Sequence, residues 1–241
     1  MKIAMKSRNY RTSIPSAAHE QVDQRFEDGT KKSAYYDLDG EPVGFREWDE
    51  HGVLFFEYSM KRGQKHGRAY RFFANGEPMD LDTFRDGQLH GPGKQWNEKG
   101  ELLITYTLVN GTGLDLWCDD TKQTLSEEHY WPKEGELGYR RNWNDDDVSV
   151  HEEYFFVNSH GYHGIWRKWA SKGTLRRGYP QYYVRGNRVT KAQYVRAAAQ
   201  DILLPACRKK DDQPIRDLPH EYISQRKSFD DINQQRFNSS Q

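Results

Sequence analysis

The chain has 241 residues, 35% hydrophobic and 14% aromatic, with 36 basic and 36 acidic side chains. Balanced charge excludes a chain-wide attraction to nucleic acid or to an anionic membrane, and the aromatic content excludes a wholly disordered chain. With a mean hydropathy of -1.07, the expected core is thin and built from rings with polar tips.

Residues 1–25 are mostly polar and read as an irregular N-terminal segment. MKIAMKSRNYRTS carries charges but no apolar signal-peptide region, and no apolar run approaches membrane-spanning length, so a cytoplasmic location is expected. Cys118 and Cys207 show no metal or redox spacing.

From residue 26 to residue 189 the chain repeats itself. Gly40, Gly63, Gly87, Gly111, Gly135, Gly161 and Gly186 recur every 23 to 26 residues, and Gly29, Gly52, Gly76, Gly100 and Gly173 form a second series. The chain therefore turns about every 12 residues, and a unit is two such segments. Trp48, Phe72, Trp96, Trp117, Trp143 and Trp169 stand four residues before the second-series turns, at two of which Thr121 and Asp147 replace glycine. They are read as core anchors, while Gly63, Gly87 and Gly111 are read as turn glycines. In ELLITYTL, Leu102, Ile104, Tyr106 and Leu108 alternate as on one face of a strand. Short aromatic strands closed by N-G, D-G, K-G or R-G are halves of β-hairpins. The expected fold is mainly β: a repeat solenoid or elongated antiparallel sheet of about seven stacked hairpins.

The frame H-G-x4-[WF]-x3-G-E, at His66–Glu77 and again at His90–Glu101, resembles the MORN repeat. It is closer still to the MORN-repeat-variant family, which includes the YwqK-type antitoxins. The resemblance runs from about Gly29 to Gly186, and the middle departs from it at Asp147 and at the C-D-D-T after Trp117. It implies a hairpin stack with a binding role and transfers no catalytic residue.

After Gly186, Thr190 and Gln193 have capping-box spacing, and Val195, Ala198, Ala199 and Ile202 follow a helical period. Residues 190–204 are thus expected to form a capping helix, about Lys191 to Leu203, and 205–241 a mobile polar tail with a short helix near Tyr222.

Charge is neutral only on average. Thr112–Phe155 holds 12 acidic and 4 basic residues, whereas Tyr162–Lys210 holds 12 basic and 1 acidic. The blocks read as a solvated face with attraction between neighbours, or as a bipolar surface whose acidic part suits a basic protein such as a toxin and whose basic part suits an acidic protein, phosphate or RNA. On the second reading the contact residues are Asp119, Asp120, Glu127, Glu128, Asp145 and Asp146 together with Arg167, Lys168, Arg176 and Arg177. Asp119-Asp120 and Asp145-Asp146-Asp147 fall at turns, where turn chemistry is the simpler account. His66, His90 and His163 precede glycines in equivalent units, so the repeat explains them better than a metal does. No phosphate loop, nucleophile elbow or HExxH is present. The sequence therefore points to a non-catalytic protein-interaction module without cofactor. The alternative is binding of lipid head groups or glycans on aromatic pairs such as Phe55-Phe56 and Tyr182-Tyr183.

Overall fold

The computed structural model describes residues 7–159 and 161–226. The chain divides into two compact units at Gly111/Thr112, so the repeat read as one array over 26–189 supplies two separate sheets. In the first unit, β1 (His19–Arg25), β2 (Lys31–Leu38), β3 (Glu41–Trp48), β4 (Leu54–Lys61), β5 (Gln64–Phe72), β6 (Pro78–Arg85), β7 (Gln88–Leu89), β8 (Gly91–Trp96) and β9 (Leu102–Leu108) form one antiparallel sheet. In the second, β10 (Gly113–Cys118), β11 (Leu125–Trp131), β12 (Gly138–Trp143), β13 (Val150–Val157), β14 (Gly161–Tyr162), β15 (Gly164–Lys168), β16 (Gln181–Val184) and β17 (Asn187–Val189) form another. Neighbours in each sheet follow chain order, and neither sheet closes into a barrel.

The two glycine series mark the two ends of the hairpins. At one end, Asp39-Gly40, Arg62-Gly63, Asp86-Gly87 and Arg185-Gly186 are two-residue turns with both φ positive, the twist that right-handed strands require. At the other end the glycine closes a wider turn, as where Gly100 N–H donates to Asn97 O at 2.9 Å. A bulge precedes the anchor at this end: the register slips between Glu47 and Trp48, Arg71 and Phe72, Gln95 and Trp96, and Asn142 and Trp143. Phe72, Trp96, Trp143 and Trp169 are buried, and Trp48 is half-buried. Trp117 is half-buried like Trp48, but its register differs. The slip falls between Trp117 and Cys118, so Cys118 pairs with Leu125 and takes the buried position while Trp117 stays half-exposed.

The repeated His-Gly has a structural cause. Gly91 has φ +114, and a Cβ there would lie 2.6 Å from Thr83 Oγ1, so only glycine permits the break between β7 and β8. The break aims His90 at the next turn, where its Nδ1 accepts the Asn110 N–H at 3.1 Å. His66 does the same for Asp86 at 3.4 Å, and His163 for Arg185 at 3.1 Å. Each recipient is a positive-φ turn residue. The adjoining glycine adds a backbone bond to the preceding hairpin, Gly111 N–H to Leu89 O at 2.7 Å and Gly186 N–H to Tyr162 O at 2.8 Å. The histidines therefore clamp one hairpin turn to the next.

Both chain ends differ from expectation. The first 25 residues are not simply irregular: β1 occupies His19–Arg25, and residues 7–18 lie on one face of the first sheet. There Ile14 fills the space over Gly44, and Tyr10 packs on Tyr70 and Phe72 at 5.2 and 5.3 Å between ring centroids. Nor is the tail simply mobile over its described part. Ser149 forms a β-bridge with Ile215, residues 220–226 are helical, and buried Tyr222 donates to Asp147 Oδ2 at 2.8 Å. That bond explains why Asp147 replaces a turn glycine: its other oxygen accepts the Leu125 N–H at 2.9 Å. Residues 227–241 of the tail lie outside the described part.

The capping box of Thr190 and Gln193 is present, but α1 spans only Lys191–Ala198, short of the expected Leu203. Its apolar face is also different. Tyr194 is fully buried against Ile165, Tyr182 and Leu204, whereas Val195 is 49% and Ile202 98% exposed. An aromatic one residue earlier than the aliphatic series turned the helix.

Two substitutions test this scheme. His90→Ala removes the acceptor of an exposed turn N–H and should lower the unfolding free energy by about 1 kcal/mol. A methyl at Gly138 would lie 2.8 Å from the Tyr130 carbonyl oxygen, so Gly138→Ala should cost more, about 2 kcal/mol. Urea titration followed by far-UV circular dichroism reads both.

Candidate binding face

Four adjacent charged pairs stand in four neighbouring strands: Glu127-Glu128, Arg140-Arg141, Glu152-Glu153 and Arg167-Lys168. Successive strand residues point to opposite faces, so each pair is split. Glu128 lies opposite Arg141, Arg141 opposite Glu153, and Glu153 opposite Arg167. This ladder is buried, and the tail covers it. Arg141 Nε is 2.9 Å from Glu153 Oε1, Arg167 Nη1 is 3.6 Å from Oε2, and Arg216 of the tail reaches the same carboxylate at 2.8 Å. Arg167 also meets Asp212 at 3.2 Å, while Glu128 accepts from the Tyr139 hydroxyl at 2.6 Å and the Trp143 indole at 3.2 Å. Burial alone would raise the Glu153 carboxyl, but the bonds from Arg216 and Arg141 outweigh it and hold it below the usual carboxylate range.

The other members form a second ladder on the opposite face, which no described segment of the second unit covers. Arg140 Nη2 binds Glu127 at 2.5 Å and its Nε meets Asn142 Oδ1 at 3.3 Å. Asn142 Nδ2 donates to Glu152 at 3.1 Å, and Lys168 binds Glu152 at 2.9 Å. Beside it, Trp166 is ringed by four tyrosines, with Tyr162 stacked at 4.8 Å, Tyr154 at 5.7 Å, Tyr179 at 6.0 Å and Tyr183 at 6.1 Å. The Trp166 indole donates to Glu152 at 2.7 Å and Lys168 Nζ stands 5.0 Å from its ring. All five rings are half-buried.

The first sheet is built alike. Under its N-terminal strap, fully buried Glu57 accepts from Arg46 Nε at 2.6 Å and from the Tyr10 hydroxyl. Burial and the nearby Glu57 push the Tyr10 phenol well above its usual range. On the opposite face, Tyr35, Phe45, Tyr58 and Phe56 form a row with centroids 5.0 to 5.5 Å apart, and Lys65 lies over Phe56, Tyr58 and Phe84. Asp80 shares this face but is buried. Burial dominates over the opposing Arg71 at 2.7 Å and Asp82 adds to it, pushing Asp80 up to about 7.

The charged residues expected to bind a partner therefore divide. Glu128 and Arg167 are buried structural groups and are corrected from that role. Glu127 and Lys168 join one uncovered ladder. Asp119 and Asp146 accept backbone N–H groups within their own turns, as their turn positions imply, and Lys122 binds Asp145 at 2.5 Å. Asp120 is half-buried at the Asp119 turn, while Arg176 and Arg177 are exposed beyond the Trp169 turn. Among the described residues, Arg167 and Lys168 are the members of the basic block that pair with the acidic block, through Glu153 and Glu152, so neighbour attraction accounts for part of the opposed blocks. Of this cluster only Tyr183, in the Tyr182-Tyr183 pair, is singled out by the sequence, although strand alternation with Lys168 also points to Trp166. Among the described residues no cluster of three or more His, Cys, Asp or Glu is arranged to hold a metal ion. Searches of known protein families and of characterised proteins returned no match.

Removing the tail's guanidinium isolates part of a buried carboxylate. Arg216→Ala should lower stability by about 2–3 kcal/mol and expose the 205–226 segment to limited proteolysis. Asp80 gives a pH signature. Its folded pKa lies above the unfolded value, so its contribution is full below pH about 4 and is lost as pH rises through about 7. Asp80→Asn should flatten the stability profile between those limits in urea melts at stepped pH.

Proposed function

We propose that the chain is a non-catalytic protein-binding module whose contact surface is the uncovered, ring-lined face of its sheets. On this reading it is a hairpin-repeat array of MORN-variant type. The supporting observation is the asymmetry of each sheet. One face is covered by the chain's own terminal segment, and the other carries half-exposed rings with fixed ion pairs. Tyrosine, tryptophan and arginine dominate the energetics of protein interfaces, and rings already packed together lose little freedom on binding. The antitoxin form of this reading rests on the repeat resemblance and names a toxin as the partner.

A photo-reactive phenylalanine analogue placed at Tyr183 or Tyr35 in cells should capture one protein, and the same analogue at Arg62 should not. Trp166→Ala should weaken that partner's affinity at least tenfold, about 1.4 kcal/mol, with Arg62→Ala within twofold by calorimetry. Capture from Arg62 alone, or unchanged affinity on Trp166→Ala, would overturn the reading.

A further inference from the structure

The basic block has a second property that the protein-binding reading does not use. From Tyr154 to Gln200 there is no carboxylate side chain. Arg167 and Lys168 are bound by Glu153, Asp212 and Glu152. Lys172, Arg176, Arg177, Arg185, Arg188, Lys191 and Arg196 are exposed and form no ion pair among the described residues.

Arg188 borders the rings. Arg188 pairs across the sheet with Tyr183, so both face the Trp166 cluster. Arg188 and Lys191 edge a shallow cavity of about 470 Å³ beside Pro180 and Gln181, and Gln181 lies opposite Trp166. At one end Arg176 N–H donates to Lys168 O at 2.8 Å; at the other Arg185 caps His163 next to Tyr162. The five residues of β15 between these ends extend roughly 16 Å at 3.3 Å per residue. Glu152, the carboxylate beside Trp166, is already bonded to Lys168 and the Trp166 indole, and Asp201 at the Arg185 end meets His163 at 3.4 Å.

We infer that the β15–β17 margin of the second unit binds single-stranded nucleic acid. Rings interleaved with unpaired cations offer stacking surfaces for bases and counter-charges for phosphates. Stacking on a sheet needs bases free of a duplex, which favours single strands over double. Charge complementarity alone would also suit an acidic polypeptide, but every nucleotide brings a flat base to stack beside its phosphate, whereas an acidic side chain brings charge without a ring.

Fluorescence anisotropy of a labelled 12-residue oligouridine, with the full-length protein at 50 and 200 mM salt, tests this. Binding should weaken with a log–log salt slope of about −2 to −3, as expected for three or four phosphates. Arg188→Gln with Lys191→Gln should reduce that slope by about 1.4. Trp166→Leu should weaken binding about 5- to 100-fold, and Lys61→Gln with Arg62→Gln in the first unit should change nothing. No binding at 50 mM salt, equal loss in the first-unit variant, or an unchanged slope on removing Arg188 and Lys191 would overturn the inference. So would equal affinity for a duplex, or displacement by polyglutamate as effective as by unlabelled oligouridine. Trp166 serves both readings, whereas the salt slope on removing Arg188 and Lys191 reads only this one and protein capture from Tyr35 reads only the other, so either can fail alone.

Discussion

Glu153 is the charge around which the second unit is organised. Arginines from β12, β15 and the C-terminal tail all reach its carboxylate. Burying a single charge is costly, and burying several is tolerated only when each is paired in good geometry. The alternation of sign across β11, β12, β13 and β15 supplies that pairing within the sheet. Arg216 and Asp212 complete it from the tail. The first unit uses a smaller version, in which Arg46 and Tyr10 meet at Glu57.

This arrangement explains how so polar a chain folds. A meander of hairpins has two faces and too few aliphatic residues to cover either with a second sheet. Each unit covers one face with a terminal segment instead, using a few apolar contacts such as Ile14 over Gly44 and many hydrogen bonds. The other face is left with rings packed against one another and with ion pairs in fixed positions. Aromatic side chains suit that compromise, since they bury area while keeping a polar edge in water.

Much of the architecture was legible because it depends on local chemistry. The glycine series predicted both kinds of turn, since only residues tolerating positive φ close such hairpins. The capping box located the start of α1. The register at Trp117 is not legible in the sequence, because an aromatic in the right place cannot reveal a one-residue slip. The split of Glu127 from Glu128 was hidden for a related reason: neighbours in sequence share a charge block yet face opposite ways in a strand. The rings of the Trp166 cluster all lie between Tyr154 and Tyr183, but only the pairing of those strands, with its register, brings them together.

What the sequence by itself determined is the hairpin repeat, its turn positions and its mainly β character, because these follow from backbone conformation within a few residues. The tertiary structure decided where the repeat divides into two sheets, which face of each is covered, and which charges are buried. Those outcomes depend on contacts between residues far apart in the chain, such as Tyr10 with Glu57, Arg216 with Glu153 and Tyr222 with Asp147. Periodicity marks positions within a strand, but it says nothing about which distant segment will lie on top of them.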